Sequence, residues 1–99
     1  MTDQSKEFIS AKMISRKITV INELGIHLRT AGMIAKLAQN AKSKVWLIKN
    51  DQKVDASNII DIISLECPCG TKITFQINNM VDFDVLNNLV ELAENGFGE

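Results

Sequence analysis

The sequence predicts an α+β fold, a two-layer sandwich with helices on one face of a four-stranded antiparallel sheet, in the order β-α-β-β-α-β-α. Three observations carry this reading. Two runs, Ser15 to Ile21 and Thr71 to Ile77, alternate apolar and polar residues as half-buried strands do. Two others, Ala31 to Ala41 and Val85 to Ala93, place apolar residues at helical spacing. A chain of 99 residues holds one core and has no length for a second.

Residues 1–13 follow neither apolar period and read as a loosely held extension ahead of a single domain, 14–99. In the first strand Ile18 and Val20 share one face and Lys17, Thr19 and Ile21 the other, before the turn-like stretch Asn22-Glu23-Leu24-Gly25. The first helix shows a stripe of Ala31, Ile34, Ala35, Ala38 and Ala41, small enough to let it sit close to a sheet. Two strands follow, about Lys44 to Lys49 and Lys53 to Asp55, with Asn50-Asp51-Gln52 as the hairpin link. Ser57 to Leu65 is rich in β-branched residues, yet its polar positions Ser57, Asn58, Asp61 and Ser64 fall three or four apart. We therefore expect a short helix capped by Ser57 or Asn58. Cys67-Pro68-Cys69-Gly70 is a turn. In the last strand Ile73, Phe75 and Ile77 face inward and Lys72, Thr74 and Gln76 outward. The last helix carries the stripe Val85, Leu86, Leu89, Val90 and Ala93, with Asp82 or Asp84 as cap and Gly96 as terminator. Trp46 and Ile48 fit an open sheet face less well than its other residues, and Phe8 and Ile9 of the extension are candidates to cover them.

Composition excludes several classes. A chain 45% hydrophobic with one proline is not disordered. Eleven basic against 12 acidic residues leave no cationic surplus for nucleic acid. No apolar run approaches the roughly 20 residues that span a bilayer, and the N-terminus has no apolar signal core. A soluble cytoplasmic protein is expected. Cys67 and Cys69 are too few for a disulfide framework, and a structural zinc site needs about four ligands. They read as reduced thiols in a turn, with a labile metal or redox role as the alternative; no metal and no cofactor is expected.

His27 is the only histidine, and it stands in Gly25-Ile26-His27-Leu28-Arg29-Thr30-Ala31, at the start of the first helix. Backbone N–H groups of a first helical turn lack intrahelical partners, and the helix dipole adds partial positive charge there. An anion held at that place is stabilised by both. Arg29 adds a cation that can bond a phosphate with two donors at once. Neutral imidazole is a good nucleophile, and its reference pKa of about 6.5 keeps it mostly neutral near pH 7. These parts suffice for a reversible phosphoryl carrier, although a histidine and an arginine meet near a helix start by chance in many proteins.

At these residues the sequence resembles the HPr family, the histidine-containing phosphocarrier proteins of the bacterial phosphoenolpyruvate-dependent sugar phosphotransferase system. The likeness is collinear from about Ser15 to Glu99. It rests on Gly25-Ile26-His27-Leu28-Arg29, on Val54-Asp55-Ala56-Ser57-Asn58-Ile59-Ile60, on Ser64-Leu65 and Gly70, and on Ala93-Glu94-Asn95-Gly96-Phe97-Gly98-Glu99. The resemblance implies an open-faced β-sandwich and a carrier that is phosphorylated as a transfer intermediate rather than an enzyme. His27 would accept phosphate on Nδ1 from phosphorylated enzyme I and hand it to IIA components of sugar permeases, with Arg29 steadying the group and Leu28, Thr30 and Ala31 supporting it. Ile59, Ile60 and Ile63 can equally be core residues; the resemblance makes them a partner-docking patch beside His27, rimmed by Lys36 and Gln39. A carrier must release partners quickly, so a small apolar interface with a charged rim suits it. A monomer without membrane or nucleic-acid partners is implied.

Three residues depart from the family pattern. Thr30 stands where proline is usual; its hydroxyl is a candidate phosphate ligand, and the histidine loop is expected to be less rigid. Leu28 replaces a commonly small residue. Asn58 occupies the place of the regulatory serine, so kinase control there is expected to be absent, and Ser57 would point elsewhere on a helix. Cys67-Pro68-Cys69 is also unusual. Thr30 and Asn58 motivate a second function class, an HPr-like regulatory module that binds transcriptional or metabolic regulators with little or no transport role.

Overall fold

The computed structural model describes residues 14–99. The extension 1–13, with Phe8 and Ile9, lies outside the described residues. The chain forms β1 (Ile14–Thr19), α1 (Leu28–Ala38), β2 (Val45–Lys49), β3 (Gln52–Asp55), α2 (Ile59–Ser64), β4 (Lys72–Ile77) and α3 (Phe83–Glu94), with 3-10 turns at Met80–Asp82 and Gly96–Gly98. The strands lie in the order β1-β4-β2-β3, every neighbouring pair antiparallel. This is the expected α+β open-faced sandwich.

Register follows from the alternation. Ile18 opposes Ile73, Phe75 opposes Leu47, and Ile77 lies between Ile14 and Val45. Those facing the helices, Ile14 apart, are buried, and they meet Ala31, Ile34, Ala35 and Ala38 of α1, Ile62 of α2, and Leu86, Leu89, Val90 and Ala93 of α3. Helix α1 packs mainly against α2 and α3, and Gly32 lets the Ile59 side chain of α2 approach its backbone. On the opposite face Ser15, Gln76, Trp46 and Asp55 form one cross-strand row and Lys17, Thr74, Ile48 and Lys53 another. Trp46 is half-buried there, with the Lys53 and Lys44 ammonium groups 4.9 and 5.7 Å from its ring centroid.

Several local expectations shift. The β2–β3 link is Asn50-Asp51 alone, since Gln52 already pairs with Lys49. Asn50 turns the chain at φ 54°, a conformation asparagine tolerates. Helix α1 ends at Ala38, so Ala41 lies beyond it, half-buried. Asn58 rather than Ser57 caps α2, accepting the Asp61 N–H at 3.1 Å. Asp82 precedes α3 but does not cap it with its side chain. Its buried carboxylate instead accepts the backbone N–H groups of Lys42 and Ser43, at 2.7 and 2.9 Å, anchoring the α1–β2 connection. Gly96 ends α3 at φ 63° as expected. The following Phe97, also left-handed at φ 57°, is fully buried and completes the core.

Candidate functional site

The β1–α1 loop is held by its own backbone and by the β4-side turn. Gly25 N–H bonds to the Asn22 carbonyl at 3.0 Å and Ile26 N–H to the Cys67 carbonyl at 2.8 Å. Gly25 has φ +70°, and a Cβ there would stand 2.6 Å from the Cys67 oxygen and 2.7 Å from Pro68 Cα. Only glycine fits this crossing. The Cys-Pro-Cys turn thus buttresses the histidine loop. Cys67 is buried, and burial pushes its thiol upward against the opposing pull of Lys49; Cys69 is exposed, its sulfur 3.6 Å from the Ile21 carbonyl. Among the described residues no three His, Cys, Asp or Glu side chains gather as a metal site.

His27 is the N-cap of α1, in extended conformation (φ −124°, ψ −170°), with its side chain one-third exposed. Its carbonyl accepts the Ala31 N–H at 2.7 Å, the first bond of the helix. Ala31 is buried and that N–H is engaged, so its contribution is to the helix start. Thr30 is fully buried as well. Its hydroxyl accepts the His27 N–H at 2.9 Å and lies 3.2 Å from the His27 carbonyl, to which it donates. This is one arm of a capping box, and in the other the His27 ring faces the Thr30 N–H. The Thr30 hydroxyl is therefore engaged by the backbone of His27, where the sequence makes it a candidate to bond a phosphate. Leu28 and Arg29 complete the first turn, both exposed.

The charged partner of this turn comes from the far end of the chain. Glu99 Oε2 lies 2.7 Å from His27 Nε2 and 2.5 Å from Arg29 Nη2. Glu99 Oε1 accepts the Asn22 amide at 2.7 Å, and the same amide nitrogen donates to the Gly25 carbonyl at 2.7 Å. The Asn22 hydrogen bond, aided by His27 and Arg29, holds the Glu99 carboxyl below its usual value although partial desolvation opposes this. Neither Asn22 nor Glu99 stood out in the sequence. Asn22 is a common turn residue, and Glu99 is 72 positions from the histidine it touches.

On α2, Ile60 is 71% exposed, while Ile59 and Ile63 are half-buried and Ile62 points into the core. Lys36 on α1 and Gln39, its C-cap, are exposed, and the Gln39 amide reaches the Ser57 carbonyl at 3.5 Å. α1 and α2 pack together, so the isoleucines and these polar residues flank one another. A nucleophilic ring, a guanidinium and the first turn of a helix thus converge where an anionic group can be held.

Residues 14–95 match the family model described as PTS HPr component phosphorylation site. The phosphocarrier protein HPr of Cupriavidus necator is 32% identical over 87 residues, which cover 88% of this chain and 98% of that protein. A phosphocarrier protein NPr of Shewanella violacea is 30% identical over 61 residues, 62% of this chain and 67% of that one. Among solved structures, HPr from Thermoanaerobacter tengcongensis superposes with a TM-score of 0.79 at 29% identity, covering 87% of this chain and 97% of that chain. The shared fold, the collinear match and the histidine at the head of α1 agree, and the chain belongs to the PTS-HPr family of phosphocarrier proteins.

Proposed function

We propose that this phosphocarrier accepts a phosphoryl group on His27 Nδ1 from phosphorylated enzyme I and passes it to IIA components of the phosphotransferase system, as a cytoplasmic monomer. The observation that carries the reading is His27 at the N-cap of α1 with Arg29 two residues on. There the free N–H groups of the first turn and the guanidinium share the charge of a phosphoryl group. Ile59, Ile60 and Ile63, with the exposed Leu28, offer the apolar ground for docking, and Lys36 and Gln39 its polar rim. Incubation with phosphoenolpyruvate and enzyme I is expected to give an acid-labile phosphate on the wild type and none on His27→Ala. Equal labelling of the two would sink the proposal.

A second reading is a regulatory module that binds transcriptional or metabolic regulators. Asn58 favours it, because the place of the usual serine holds an amide that caps α2 and has no hydroxyl to phosphorylate. Efficient labelling of His27 followed by no transfer to any IIA protein would favour this reading over transport.

A further inference from the structure

An imidazole attacks phosphorus through the ring nitrogen that carries no proton, so the tautomer of His27 decides where a phosphoryl group goes. Here one nitrogen has a fixed partner. Nε2 lies 2.7 Å from Glu99 Oε2. An ionised carboxylate only accepts, so Nε2 must be the donor of that bond. The carboxylate is itself oriented from two further sides, by the Asn22 amide on Oε1 and by Arg29 on Oε2. Arg29 can only donate, and Asn22 meets the carboxylate through its amide nitrogen, so both contacts leave Glu99 as the acceptor that the ring faces. At its other edge the ring lies toward the backbone N–H of Thr30 but makes no cap hydrogen bond with it, so the contact with Glu99 is the one that fixes a ring nitrogen.

We infer that Glu99 is a positioning residue, which keeps the proton of the neutral His27 ring on Nε2 and so presents Nδ1 as the nucleophile. Its consequence for transfer rests on the phosphocarrier reading, whereas the tautomer itself does not. In the transfer step the Nδ1 lone pair forms the new N–P bond while the donor's bond to phosphorus breaks, its electron pair leaving with the donor. No proton moves. The ring becomes an N-phosphorylated imidazolium, still protonated on Nε2, and its new positive charge faces the Glu99 carboxylate. The same contact operates in reverse when the group is passed on. Asn22, which binds both Gly25 and Glu99, joins the loop that carries His27 to the carboxylate that orients it.

The test is a long-range proton–nitrogen correlation spectrum of the full-length, unphosphorylated protein, about two units above the reference histidine pKa of about 6.5. The wild-type ring is expected to be the Nε2–H tautomer, with an unprotonated Nδ1. Glu99→Gln keeps an acceptor oxygen and the tautomer, and Glu99→Ala gives a mixture. Both variants are expected to accept phosphate from enzyme I roughly tenfold more slowly, the loss that goes with one charge-assisted hydrogen bond. An Nδ1–H wild-type ring would overturn the inference. So would an unchanged tautomer in Glu99→Ala, or unchanged acceptance rates in both variants. If the wild type takes no phosphate at all, the phosphocarrier reading fails instead, and the tautomer still decides whether Glu99 holds the ring.

Discussion

At His27 the backbone and the ring have separate partners. The backbone N–H and carbonyl are both taken by the Thr30 hydroxyl, and the ring meets Glu99. Thr30→Val keeps the volume and removes the hydroxyl, leaving the His27 N–H unpaired. A loss of about 1 kcal/mol is expected, with Thr30→Ser near wild type, as read by thermal unfolding. The Glu99 contacts add a pH signature of definite sign. Because its folded pKa lies below the ordinary glutamate value of 4.5, the stabilisation is complete above that value and fades as pH falls through the lower folded pKa. Urea midpoints of wild type and Glu99→Ala should therefore differ near neutrality and converge in acid. A constant gap at all pH values would contradict the contacts described.

Among the elements, α2 is the one whose residues divide most sharply between core and surface. It has six residues, held by the Asn58 cap, and only Ile62 is fully buried. Ile59 and Ile63 pack partly against the core, Ile59 next to Gly32 of α1, and Ile60 faces water. An isoleucine left 71% exposed gains little for folding. Ile60→Asp should change stability by no more than about 0.5 kcal/mol. If the patch docks partners, the same change should weaken binding to enzyme I or a IIA protein about tenfold or more, measured by calorimetry. Unaltered affinity would remove Ile60 from the docking surface.

Over the whole molecule, the site depends on how the end of the chain is seated. β1 pairs with β4, and α3 returns along the sheet toward the β1–α1 loop. The left-handed Phe97 then turns into the core, and Gly96 lies against Ile21 and Asn22, where a Cβ would come within 3.9 and 3.8 Å. That anchorage delivers Glu99 to Asn22, His27 and Arg29. Phe97→Ala should cost about 3–5 kcal/mol in urea unfolding, as for other fully buried aromatic side chains. It should also loosen the His27 ring even where the protein stays folded.

The sequence by itself determined the strands and helices whose alternation or stripe is strong, because each period is a local consequence of backbone geometry. Ile18 and Val20, Ile73, Phe75 and Ile77, and the α3 stripe from Leu86 to Ala93 face inward as their spacing requires. It also located His27 and Arg29 at a helix start, since caps and nearby charges are written within a few residues. The tertiary structure alone decided what the neighbours do. Thr30 turned inward as a cap, Asp82 left its own helix to bind the backbone at Lys42 and Ser43, and Phe97 filled the core. Only the folded chain brought Glu99 and Asn22 to the histidine. A contact across 72 residues leaves no periodic trace, because it depends on how the sheet closes and not on the sequence around either partner.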